Sequence, residues 1–124
     1  MRLAAAAALP SAAVAGLAWG HFEAGWVRLG TLDVPLDGLA PELDGLRIAH
    51  LSDFHLGVPG RGAHAVARAV EWVGERQPDL TLVSGDLLTR GSGEPLLRRL
   101  IPRLPNCYAI LGNHDYAISR DPFV

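Results

Sequence analysis

Three short apolar runs, separated by two segments of helix length, constrain this chain more than any other feature. Residues 46–52, 80–84 and 107–111 are mostly apolar and too short for helices, as strands buried on both faces are. Between the first two runs, Ala63, Val66, Ala67, Val70 and Val73 recur at helical spacing, with Arg68, Glu71, Glu75 and Arg76 mainly on the other side. Gln77-Pro78-Asp79 ends that helix, because a residue before proline avoids the helical region. Between the second and third runs, Ser92 is placed to cap a helix through Leu96, Leu97, Leu100 and Ile101, which Pro102 limits. Crossovers of this length make neighbouring strands parallel. The expected fold class is therefore α/β, a parallel βαβαβ unit.

Each run ends in a polar motif. The first leads into Asp53-Phe54-His55, the second into Gly85-Asp86, the third into Gly112-Asn113-His114-Asp115. Open α/β sheets bind ligands along the carboxyl edge of their strands, where all three motifs fall. Neighbouring strands lie ~4.8 Å apart, so side chains from three tips can converge on a space a few ångströms wide. In an extended segment Asp53 and His55, one residue apart, point to the same side and reach one cation. The two oxygens of Asp86 could bridge two ions, and Asn113 offers a neutral oxygen to the second. His114 could stabilise substrate charge or protonate a leaving oxygen. Asp-x-His and Gly-Asp are common patterns. Gly-Asn-His-Asp directly after a buried strand is the rare one, and the ordered set points to a metal site for phosphate-ester chemistry. A plainer use stands beside this one: Asn113 and Asp115 as turn caps, and His55 as a solvated loop histidine. His50, inside a strand, is expected to be packed or hydrogen-bonded. His64 and the Arg98-Arg99 pair are expected in solvent, and Arg90 is a candidate phosphate contact.

The chain has 124 residues, enough for one domain at most, and is 49% hydrophobic and 19% charged, so it is globular or membrane-attached. A net charge of −2 gives no general attraction to nucleic acid, and no specific nucleic-acid binding is expected. Cys107 is the single cysteine, which rules out an internal disulfide, and its place at a strand start favours a small packed thiol. Residues 3–20 carry no charge and are half alanine. Three readings compete for them: an uncleaved membrane anchor, a signal peptide cut after residues 13–15, and a buried alanine-rich helix. Arg2 would hold the amino terminus of an anchor in the cytoplasm and leave the rest outside. The expected division is 1–22 as anchor or signal segment and 23–124 as the remaining domain, which starts with an edge strand over 26–36.

From about Leu46 to Asp115, the ordered motifs Asp53-x-His55, Gly85-Asp86 and Gly112-Asn113-His114-Asp115 resemble the calcineurin-like metallophosphoesterases. The leader and the stretch around Leu51-Ser52-Asp53-Phe54-His55-Leu56-Gly57 are similar to the membrane-associated bacterial branch. The resemblance implies an α/β/β/α sandwich of two sheets around two divalent ions, drawn from Mn, Fe, Zn, Ni or Mg. By it, Asp53 and His55 bind the first metal, Asp86 bridges, Asn113 binds the second, and His114 assists catalysis. A metal-bound hydroxide would attack a phosphodiester or diphosphate, and a membrane-associated, extracytoplasmic enzyme would suit lipid or envelope substrates. There are two departures. The family's downstream histidine ligands, often in Gly-His-x-His, are not in this sequence. Thr89 stands where several members carry an aspartate that orients the catalytic histidine. The expectation is an amino-terminal portion of a longer enzyme with little activity alone. The alternative is a non-catalytic fragment that binds a metal or a partner.

Overall fold

The computed structural model describes residues 14–20, 22–23, 25–58 and 62–118. Strand β1 (Ile48–Leu51), helix α1 (Gly62–Arg76), β2 (Leu80–Ser84), α2 (Glu94–Leu100), β3 (Cys107–Ile110) and α3 (Asn113–Ile118) follow in that order. The strands form one sheet in the order β1-β2-β3, and both pairings are parallel. Leu51 lies opposite Val83, and Val83 opposite Ala109. The α/β class and the parallel order are as the sequence implies.

One face of the sheet carries the core. Leu51 and Val83 meet Val66, Val70 and Val73 of α1 with Leu100 of α2, and Leu104 closes the end. Val70 and Val83 are essentially sealed from water. Burying a side chain of this size contributes ~1.5–3 kcal/mol, so the valine stripe of α1 is what holds that helix to the sheet. Thr81 is buried in the sheet as well, and its hydroxyl donates to the Pro105 carbonyl at 2.7 Å. Arg47 fastens the opposite rim. Its guanidinium donates to the carbonyls of Arg76 and Gln77 at the end of α1, and its amide to Asp79 at 2.8 Å.

Three expectations need correction. The strands are not buried on both faces. Both helices of the core pack on one side, and on the other Ile48, Leu82, Tyr108 and Ile110 are exposed, Tyr108 by 70%. On that exposed face His50 meets the Ser84 hydroxyl at 2.6 Å, hydrogen-bonded as expected. The 26–36 segment is no strand; it runs mostly exposed without a ladder partner among the described residues, and an edge strand needs one to form. Ser92 caps nothing. Residues Gly91–Gly93 form a 3₁₀ turn before α2, and the Ser92 hydroxyl donates to the Gly57 carbonyl at 3.3 Å instead.

The expected hydrophobic helix over 3–20 falls mainly outside the described residues. Of it, residues 14–20 are helical, with Leu17 and Trp19 exposed. Among the described residues no helix is long and apolar enough to cross a membrane. Cys107 is half-buried, and burial pushes its thiol pKa up, as suits a packed thiol.

Candidate metal centre

The tips of β1 and β2 turn sharply. Asp53, His55 and Asp86 all have positive φ, at 57°, 43° and 54°. Aspartate and histidine enter this left-handed region more readily than most residues, yet each such position costs ~1–3 kcal/mol unless its surroundings fix it. Here backbone bonds fix it. The amides of Asp53, His55 and Leu56 donate to the carbonyls of Gly85, Asp86 and Leu87 at 3.3, 2.9 and 3.0 Å, and the Thr89 amide donates back to Leu56 at 2.8 Å. The two loops continue the β1–β2 ladder past the strands. Asp53 and His55 therefore do come together, but through two left-handed residues and not through the extended segment expected for them.

The third tip is tied to the second. Asp115 is 6% exposed, and its carboxylate accepts the amides of Leu87 (3.1 Å), Leu88 (2.8 Å) and Gly112 (2.9 Å). Asp86 Oδ1 accepts the His114 amide at 3.1 Å. Gly112 lies so close to Asp86 that a Cβ there would strike its carboxylate and its amide. Glycine is required because two backbones and a carboxylate meet at that point.

The side chains then converge. His55 Nε2 lies 3.6 Å from Asp53 Oδ1 and 3.9 Å from Asp86 Oδ2. The rings of His55 and His114 meet edge to face at 4.9 Å. Ligand atoms of His55, Asp86 and His114 all lie within 4.8 Å of one another. Oxygen and imidazole nitrogen at 3.6 and 3.9 Å are too far apart to hydrogen-bond. Their spacing is close to the ~3–3.5 Å between atoms that share one ion at ~2.0–2.2 Å, so these residues fit a divalent cation. On its other side His55 Nδ1 is 2.9 Å from the Thr89 hydroxyl. That contact fixes the ring and turns Nε2 toward the carboxylates.

Of the expected site residues, Asp53, His55, Asp86 and His114 are brought together. His114, expected to move protons, also lies within 4.8 Å of the ligand atoms of His55 and Asp86. Asn113 opens α3 beside it and is exposed. One Asp86 oxygen is engaged by the His114 amide, so the carboxylate presents Oδ2 to His55. Two residues were undervalued in the sequence. Thr89 read only as a missing aspartate, and Asp115 as a turn cap whose burial nothing local signals. Arg90 is exposed in the loop before α2.

A parallel sheet with carboxylates and imidazoles gathered at its carboxyl edge defines an α/β domain with a candidate metal site. The comparisons with known proteins narrow the class. The calcineurin-like phosphoesterase family matches residues 46–123, more than half of the chain. The chain belongs to that family. It is similar to a zebrafish (Danio rerio) transmembrane protein with metallophosphoesterase domain, 40% identical over 91 residues, covering 68% of this chain and 20% of that protein. The UDP-2,3-diacylglucosamine pyrophosphatase LpxG of Chlamydia muridarum is 34% identical over 110 residues, covering 82% of this chain and 32% of that enzyme. A Bos taurus transmembrane protein with metallophosphoesterase domain is 35% identical over 95 residues, 72% of this chain and 21% of that protein. The chain thus spans about a fifth to a third of the length of these relatives.

Proposed function

We propose that residues 23–124 contribute the amino-terminal part of a two-metal phosphoester hydrolase domain, and that residues 1–22 attach it to a membrane. The observation that carries this reading is the convergence of His55, Asp86 and His114 within 4.8 Å, with Asp53 at 3.6 Å from His55. Divalent ions, when bound, would supply positive charge for the phosphoryl oxygens and an activated water. Asp53 and His55 would hold the first ion, Asp86 would share it with a second, and Asn113 would reach the second. A ring nitrogen of His114 would donate a proton to the departing oxygen, and Thr89 would keep His55 Nε2 directed inward. The substrate is a phosphodiester or diphosphate. The LpxG likeness, with the diacylated diphosphate in its name, supports a lipid-bearing ester as substrate, and the relatives named as transmembrane proteins support membrane attachment. The metal is one of Mn, Fe, Zn, Ni or Mg, which this mixed donor set does not separate. An extracytoplasmic, bacterial setting completes the proposal.

The test is metal uptake by the 124-residue chain. Titration with Mn²⁺, followed by electron paramagnetic resonance, is expected to show binding that His55→Ala and Asp86→Asn each weaken at least tenfold. Equal uptake by all three proteins overturns the site. Uptake without any Mn²⁺-dependent release of p-nitrophenolate from bis-p-nitrophenyl phosphate favours the second reading, a metal-binding portion without turnover.

A further inference from the structure

Asp53, His55 and Thr89 also line a cleft of about 760 Å³. The cleft lies between residues 26–29 and the first half of α1, and its lining is mainly apolar. Trp26 and Leu29 contribute from the amino-terminal segment, Val58 from the loop before α1, and Ala63 and Val66 from α1 itself. Trp26 and Val58 keep 58% and 48% of their surface in water, so they serve little as core. Among the described residues Arg28 is the one permanent cation of the lining, and it lies 5.9 Å from the Trp26 ring.

The volume falls within the ~300–1,000 Å³ typical of small-molecule sites, and a bare phosphate would fill only a corner of it. A polar alcohol on the ester would gain nothing from Trp26, Leu29 and Val58. A hydrocarbon chain would remove all three from water. Arg28 suits an anionic head group at the same mouth. We propose that this cleft receives the hydrocarbon tail of an amphiphilic phosphate or diphosphate ester whose phosphoryl group lies at Asp53 and His55. The inference rests on the function proposed above and extends it by assigning the tail a place. The tail enters beside the metal ligands, so its depth of insertion sets how the phosphorus is presented to them.

Binding of ethyl, butyl, hexyl and octyl phosphate to the full chain, with and without Mn²⁺, tests this by calorimetry. Each methylene that enters the cleft is expected to tighten binding roughly fourfold. Leu29→Asn and Val58→Thr put neutral polar groups in the wall and add no charge beside the phosphate. Both are expected to flatten the series, lowering octyl phosphate affinity far more than ethyl phosphate affinity, with circular dichroism confirming the fold. A flat series in the unaltered chain overturns the cleft, as does a steep series that both variants retain, since the chains then bind elsewhere. Mn²⁺-dependent binding without a chain-length gain sinks the cleft and keeps the metal centre. A gain that the variants abolish but Mn²⁺ does not affect keeps the cleft and sinks the metal reading.

Discussion

Thr89 shows how one hydroxyl can decide what an imidazole does. A neutral imidazole has one nitrogen that donates and one that accepts. With the proton on Nδ1 and donated to the Thr89 oxygen 2.9 Å away, the lone pair of Nε2 faces Asp53 and Asp86. Removing such a partner typically costs ~10–100-fold in metal affinity. Thr89→Val keeps the shape and loses the hydroxyl, so Mn²⁺ affinity is expected to fall by about that factor, whereas Thr89→Ser restores it. Equal affinity in the valine variant would show that packing alone orients the ring. The sequence disclosed the threonine only as an exception to a resemblance. Its partner is 34 residues away in the chain, and no local pattern encodes that meeting. Asp53, His55, Asp86 and His114 were legible because each lies in the short polar motif that comes after a strand, and strand ends are local features. The left-handed backbone of Asp53, His55 and Asp86 was not legible, since it depends on bonds between the two neighbouring loops.

At the scale of elements, Asp115 joins the β2–α2 loop to the turn before α3. Its carboxylate accepts three amides from a buried position. Asp115→Ala leaves buried donors without an acceptor, at ~1–3 kcal/mol each where water cannot reach. Denaturant unfolding is expected to show a loss of about 3 kcal/mol, with faster amide exchange at Leu87 and Leu88. Asp115→Asn is not expected to rescue, because its amide group turns a donor toward donors. Unchanged exchange at Leu88 would refute the tie. The same scale explains which elements the sequence announced. The valine spacing fixed α1, and Gln77-Pro78 fixed its end, because helix period and proline sterics are local. The start of α2 escaped because Gly93, not Ser92, precedes it. A Cβ on Gly93 would come within 2.6 Å of the Gly57 amide, a long-range contact that selects glycine there.

For the whole molecule, the two faces of the sheet differ most. Helices cover one, and among the described residues Ile48, Leu82, Tyr108 and Ile110 stand in water on the other. Parallel sheets are nearly always covered on both faces, and exposed apolar patches mark surfaces of association. The 124-residue chain is therefore expected to bind anilinonaphthalene sulfonate strongly and to scatter light as its concentration rises. Tyr108→Lys with Ile110→Lys should lower both signals and leave Mn²⁺ affinity unchanged, because neither residue touches the site. Dye fluorescence that ignores the double substitution would place the sticky surface elsewhere. A half-clad sheet is also what holdase chaperones and quality-control proteases recognise. Where these 124 residues stand alone, persistence is then governed by how soon the flank bearing Tyr108 and Ile110 finds cover, from another polypeptide segment or from a chaperone.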